Sequence, residues 1–267
     1  MIELTITDGV AEVVLAAPKT LNSLDIAGID ELAQVYDEAA DAARRGQVRA
    51  LLLRGEGRGF CAGRDISGVD PAEDDVPGYL DGRVQPLLQS MAAFPAPTFA
   101  AVHGACLGVG LGLAIATDVV YVAEDAKIGS PFANLGATLD SGGHWLFTER
   151  LGPHRALDLI YTAELMSGAE AVAGGLFARA MPSDTLLEQT RAITTKVASG
   201  ATGAFLASKE LVGQIRDQRL GLWESMAAEN RAQAALCASA DYAEGFAAFQ
   251  QKRAPVFRGP AAAPTES

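Results

Sequence analysis

The stretch from Pro95 to Thr117 constrains this chain more than any other, because it carries no Asp, Glu, Lys or Arg over a length sufficient to cross a bilayer. A membrane span and a buried strand, turn and helix both satisfy that composition. Pro95 and Pro97 open the stretch, His103 interrupts it, Gly104, Gly108, Gly110 and Gly112 punctuate it, and no basic residue anchors either end. These features predict a buried strand at Thr98 to Val102 and a glycine-rich helix over Leu107 to Thr117.

A buried strand needs partners, and the flanking sequence supplies them. Ile2 to Thr7 and Val10 to Ala16 alternate in hydropathy around Asp8-Gly9, a dipeptide suited to a tight hairpin. Ala50 to Leu53 and Val119 to Ala123 are further short apolar runs. From Asp25 to Arg45, Ile26, Ile29, Leu32, Ala33, Tyr36 and Ala40 recur at helical spacing, with Gly46 placed to cap the end. Strands alternating with helices predict an α/β layered class. The second half reads as mostly helical through Lys252, with Ser167-Gly-Ala-Glu170 fitting a capping box.

The formal net charge of -12 repels nucleic-acid backbones and anionic membrane surfaces, and no basic stripe offsets it. Cys61, Cys106 and Cys237 lie far apart without metal-ligand spacing, and so read as reduced thiols. His103, His144 and His154 are scattered and read as packing or surface residues, although His144 is close to Asp140 in sequence. Met1 to Ala16 has no secretory-signal pattern, so a cytoplasmic location is expected. At 267 residues, 49% of them hydrophobic, one large core with a smaller attachment is expected. The acidic Gly/Pro-containing segment 67–78 reads as a mobile surface loop able to act as a lid.

Two glycine-rich turns each follow an apolar strand: Gly59 to Asp65 and His103 to Gly112. The second opens a helix whose N-terminal amides lack intrahelical partners. It is not a dinucleotide fingerprint, because Leu113 stands where the last glycine is needed. Phe60-Cys-Ala-Gly-Arg-Asp65 and Ala101-Val-His-Gly-Ala-Cys-Leu-Gly-Val-Gly110 together resemble the paired oxyanion-hole segments of the enoyl-CoA hydratase/isomerase (crotonase) superfamily, over Ile2 to about Phe257. The resemblance implies a crotonase-like ββα superhelix core over residues 1–200, a C-terminal helical trimerisation region over 201–257, and a tail at 258–267 read as disordered.

By motif position, the resemblance implies that the oxyanion donors are the backbone N–H groups of Arg64 and Val109. Two donors aimed at a thioester oxygen stabilise the enolate formed when an adjacent proton leaves. The family's hydratases use two glutamates, and the matching positions here hold Gly112 and Phe132, neither capable of acid–base chemistry. The segment Phe132 to Trp145 is instead similar to members with one carboxylate at the Asp140 position, among them Δ3,Δ2-enoyl-CoA isomerases and the 1,2-epoxyphenylacetyl-CoA isomerases of phenylacetate breakdown. Ser239-Ala-Asp-Tyr-Ala-Glu-Gly-Phe246 and Lys252-Arg253 extend the similarity to the latter.

One carboxylate suffices for isomerisation, since it can remove a proton from one carbon and return it to another. Local sequence alone leaves Asp140 open as a helix cap before Ser141-Gly-Gly. The resemblance assigns it as the base, with Phe132, Leu139 and Trp145 expected to raise its pKa if they line the pocket. It also places Thr20, Leu21, Asn22, Ser23, Ala62, Asp65 and Ile66 around coenzyme A, and Lys252 near a phosphate, with the neighbouring subunit as one source of that contact. The side-chain role of Arg64 is left open. The expected activity is acyl-CoA isomerisation by a homotrimer or dimer of trimers, without metal or redox cofactor, coenzyme A entering as part of the substrate. A hydratase, an aryl-CoA dehalogenase with Asp140 as nucleophile, and a non-catalytic acyl-CoA binding protein are the competing readings.

Overall fold

The computed structural model describes residues 1–259. The chain opens as the expected hairpin, β1 (Ile2–Thr7) and β2 (Val10–Leu15), turned by Asp8 at φ 51° and Gly9 at φ 78°. β3 (Ala50–Gly55), β4 (Thr98–Val102), β6 (Val119–Ala123) and β9 (Arg179–Met181) add in parallel, giving the order β1-β2-β3-β4-β6-β9. A second sheet is built from β5 (Ala105–Leu107), β7 (Lys127–Gly129) and β8 (Met166–Ser167). Every residue of β4 is buried, which is why a parallel central strand can lack charge altogether.

Helices pack around the sheets. In α1 (Ile26–Arg44), Asp25 caps the start by accepting from Gly28 N at 2.7 Å, Ile29, Leu32, Tyr36 and Ala40 are buried, and Gly46 turns the end at φ 76°. Ile26, expected on the apolar face, stays exposed in the first turn. Then follow α2 (Val76–Tyr79), α3 (Gln85–Ala92), α4 (Val109–Ile115), α5 (Gly143–Thr162), α6 (Gly168–Ala173) and α7 (Leu186–Ala198). The helices α8 (Thr202–Gln218), α9 (Leu222–Leu236) and α10 (Ala240–Gln250) complete the described chain. The pairs β1/β2, β4/β5 and β6/β7 each lead into a helix, the ββα repeat that the resemblance implies. No helix among the described residues is long and apolar enough to cross a membrane.

Several elements depart from the expectations. The helix expected from Leu107 begins at Val109, because Leu107 is drawn into the small sheet opposite Gly129. Segment 67–78 is not a free loop: Val76–Tyr79 is helical, Asp75 caps it by accepting from Gly78 N, and Asp74 is ion-paired with Arg64. The second half is interrupted by β8 and β9, and α5 breaks at Gly152 (φ 75°) before Pro153, which cannot continue a helix. Ser167 and Glu170 form the expected capping box. Arg258 N and Gly259 N, within the tail read as disordered, donate to the Asp241 carboxylate at 2.8 and 2.9 Å. Residues 260–267 of that tail lie outside the described residues.

Candidate active site

The two glycine-rich turns lie side by side because their backbones are hydrogen-bonded to each other. Phe60 N donates to His103 O at 2.7 Å, Cys61 N to Ala105 O at 2.9 Å, and Leu107 N to Cys61 O at 3.0 Å, so the backbones of Cys61 and Cys106 pair as a parallel β-bridge while both thiols remain free. Close approach dictates glycine: a β-carbon on Gly110 would lie 2.3 Å from Cys61 O, and one on Gly63 2.8 Å from Leu107 O and 3.6 Å from Val109 N. Among the described residues, the N–H groups of Arg64 and Val109 have no hydrogen-bond acceptor, Val109 being the first residue of α4. Two neighbouring unbonded amides can donate to a single oxygen.

Asp140 precedes α5 but does not cap it. The N-cap is Gly142, without a side-chain capping bond, and the Asp140 carboxylate instead accepts from Ser141 Oγ at 2.8 Å. Local sequence could not tell whether Asp140 caps the helix; two left-handed residues, Ser141 (φ 52°) and Gly142 (φ 86°), separate it from the first residue of α5. Burial pushes the Asp140 pKa above the usual carboxylate range, opposed by the Ser141 hydrogen bond and by the positive fields of Arg64 and His144.

Asp140, Ser141, Gly142 and Gly112 line a cavity of about 510 Å3. Its walls come from Leu80, Val84 and Leu88, from Ile115 and Ala116 in α4, and from Trp145 in α5. Asp81 lines it from an exposed position, and Asp217 does so while paired with Arg216 at 2.7 and 3.0 Å. The Arg216 guanidinium also lies 5.6 Å from the Trp145 ring centroid. The Leu80 to Val84 wall is a π-helical segment, with Gln85 N bonded to Leu80 O; Pro86 four residues after Gly82 cannot fit an α-helical ladder there.

The hydratase glutamate positions are filled by other groups. A β-carbon on Gly112 would lie 2.6 Å from Ser141 Cβ, and a β-carbon on Gly108 would lie 2.8 Å from the Phe132 ring. Phe132 thus packs on the start of α4 and is not among the residues lining the cavity, whereas Trp145 is. Leu139 also turns inward, against Gly143.

The residues assigned to coenzyme A divide. Thr20 to Ser23 and Ala62 to Ile66 are brought together: Ala62 N donates to Leu21 O at 2.9 Å, Leu24 N to Gly63 O at 2.9 Å and Asp65 N to Leu24 O at 3.0 Å. Thr20 and Ile66 are exposed on this ledge, and Asp65 Oδ1 is engaged by Ser67 N. Asn22 is instead buried, donating to the carbonyls of Glu56, Gly59 and Phe60 and accepting from Ala17 N, so its amide is committed to holding the first turn. Lys252 is exposed on the turn after α10 and does not line the cavity.

The Arg64 side chain, left open by the sequence, is bound bidentately to Asp74 at 2.6 and 2.9 Å and lies 4.2 Å from the Tyr79 ring centroid. Ser141, Tyr79 and Asp74 carry no motif signal and were not among the expected site residues. Of the histidines, His103 bonds Gly57 O at 2.9 Å and His144 is exposed beside Thr138.

The profile of the family described as enoyl-CoA hydratase/isomerase matches residues 5–260. A probable enoyl-CoA hydratase of Rhodobacter capsulatus is 35% identical, the match covering 95% of this chain and 96% of that one. The 1,2-epoxyphenylacetyl-CoA isomerase of Escherichia coli is 32% identical, with 94% and 95% covered. Among solved structures, an enoyl-CoA hydratase from Bacillus anthracis superposes with a TM-score of 0.86 at 28% identity, covering 97% of this chain and 99% of that chain.

Proposed function

Because the chain belongs to the enoyl-CoA hydratase/isomerase family and has the crotonase fold, we propose that it isomerises enoyl-CoA thioesters, with Asp140 as the sole acid and base. The thioester oxygen accepts from the N–H groups of Arg64 and Val109. Asp140 removes a proton from C2 of a 3-enoyl thioester, the electrons pass to the carbonyl oxygen, and the dienolate is held by the two donors. Each such donor contributes about 10²- to 10³-fold in rate. Asp140 then returns the proton to C4, leaving the double bond between C2 and C3 with no water consumed.

The observation that carries this reading is the packing of Ser141 against Gly112. The place where a hydratase glutamate would begin is occupied by the residue that holds Asp140, and Phe132 supplies no second acid. The burial-raised pKa of Asp140 suits a group that must both take and return a proton. The ledge formed by Thr20, Leu21, Ser23, Ala62, Asp65 and Ile66 is assigned to the coenzyme A portion, with Lys252 contributing to a phosphate of its own or a neighbouring subunit. Val212, Leu222, Trp223 and Phe249, exposed on α8 to α10, are assigned to contacts within a trimer. The reaction requires no metal or redox cofactor.

The test is NMR in D₂O with 3-enoyl-CoA and phenylacetate-pathway CoA thioesters, comparing wild type with Asp140→Asn. Double-bond migration with Asp140-dependent proton exchange supports the isomerase. A 3-hydroxyacyl product would replace it with a hydratase, and tight binding without exchange would replace it with a binding protein.

A further inference from the structure

We propose that the Arg64 side chain is a positioning residue that ties the wall of the acyl pocket to the backbone amide serving the thioester oxygen. This rests on the assignment of that amide to the oxygen, made above, and assigns to the guanidinium a role separate from the amide's.

The connection is continuous in space. The backbone at Arg64 is bridged to Leu24, and Leu24 O accepts both Asp65 N at 3.0 Å and Tyr79 Oη–H at 3.4 Å. Tyr79 is buried, and the next residue, Leu80, begins the π-helical wall of the acyl cavity. The Arg64 guanidinium closes the loop from above, lying over the Tyr79 ring and gripping Asp74 with both terminal nitrogens. Arg64 and Asp74 are both mostly shielded from solvent, at 18% and 17% side-chain exposure, so this pair is held in one geometry to a degree that exposed ion pairs are not. A planar fork bonded at two points and stacked on a ring fixes direction as well as distance, which a lysine ammonium does not. Displacement of the 80–84 wall by an acyl group is therefore transmitted through Tyr79 to the residue that carries the amide.

The guanidinium also acts on Asp140 through space, favouring its carboxylate form. The other titratable and charged groups around Asp140 are Tyr79 and His144, with Asp81, Arg216 and Asp217 across the cavity. A bound conjugated thioester such as a cinnamoyl-CoA reports the oxyanion donors directly, because polarising its carbonyl shifts its absorbance to the red without turnover.

The experiment compares wild type, Arg64→Met, Arg64→Lys and Asp74→Asn by that red shift, by kcat and KM, and by the pH profile of kcat/KM. In Arg64→Met, the expected results are a reduced red shift, a fall of about 10- to 100-fold in kcat from misplacement of the donor, and an acid limb moved to higher pH. KM is expected to change far less than kcat. Arg64→Lys is expected to restore the acid limb but not the red shift, and Asp74→Asn to reduce the red shift with Arg64 still present. A wild-type red shift and acid limb in Arg64→Met overturn the proposal and leave the isomerase reading untouched. A lost red shift in Arg64→Met, alongside a wild type that hydrates and does not isomerise, supports the positioning role and removes the isomerase.

Discussion

Gly112 and Ser141 are packed so closely that a β-carbon at 112 would meet Ser141 Cβ at 2.6 Å and Ser141 O at 2.9 Å. Helix α4 and the turn bearing Asp140 therefore share one volume, and a side chain at 112 can enter only by displacing that turn. Inserting a glutamate where the hydratases have one is thus expected to damage this site instead of converting it. Gly112→Glu should lower the unfolding free energy by about 1–3 kcal/mol, the usual range for overpacking, and reduce isomerase turnover without producing a 3-hydroxyacyl product. Denaturant melts and product analysis by NMR check both parts.

Ser141 also sets the charge state of its neighbour. Its hydroxyl hydrogen bond lowers the Asp140 pKa against the upward push of burial. Removing the donor leaves burial less opposed, so the pKa rises further. Ser141→Ala is expected to shift the acid limb of kcat/KM to higher pH while leaving the plateau within about tenfold of wild type, below the range for loss of a positioned acid or base. An unmoved limb would show that the hydroxyl does not act on the carboxylate in solution.

Features with a local signature were legible in the sequence. Asp8-Gly9 declares its turn, the α1 face declares its period, and the glycines at 63 and 110 mark close backbone approach. The strands β5, β8 and β9, of two or three residues each, are too short to show alternation, and their existence depends on tertiary partners. The cavity beside Asp140 was invisible for a similar reason: it joins Leu88, Asp140 and Arg216, which no sequence spacing connects. Asp140 was legible as a candidate through resemblance alone, since the cap and the base look alike until the φ of Ser141 is known. The Arg64–Asp74 pair spans a segment whose composition reads as loop, and a bidentate grip has no sequence pattern.

Asn22 shows how a residue in a recognised segment can serve it from behind. Its side-chain amide donates to the carbonyls of Gly59 and Phe60 in the first glycine-rich turn, at 2.8 and 3.2 Å, and to Glu56 O just before it at 2.9 Å, from a position 1% exposed. Asn22→Ala leaves these acceptors short of partners in a buried place, costing about 1–3 kcal/mol per unsatisfied group. The expected outcome is a clearly lowered Tm, with loss of turnover following from disorder of the turn and not from loss of a coenzyme A contact. Thermal unfolding measured with and without saturating coenzyme A separates the two: the stabilisation given by the ligand should be retained in the variant.

Asp140 itself should trade stability against function. Its folded pKa is raised above its unfolded value, so the protonated form is favoured in the folded state. The sign follows from linkage: the fold is relatively most stable below the unfolded pKa, and that advantage is lost as pH rises through the folded pKa. Above its folded pKa the wild type carries the cost of a half-buried charge, which the neutral amide of Asp140→Asn removes. The variant is expected to lose about 10²- to 10⁴-fold in turnover and to have a higher Tm than wild type at pH above the folded pKa of Asp140, the gain shrinking as the pH is lowered and the wild-type carboxylate becomes protonated. Thermal melts of both proteins on either side of that pKa, beside their turnover, provide the measurement; a variant less stable than wild type at pH 8 would mean that the carboxylate is stabilised by its surroundings and that burial does not set its pKa.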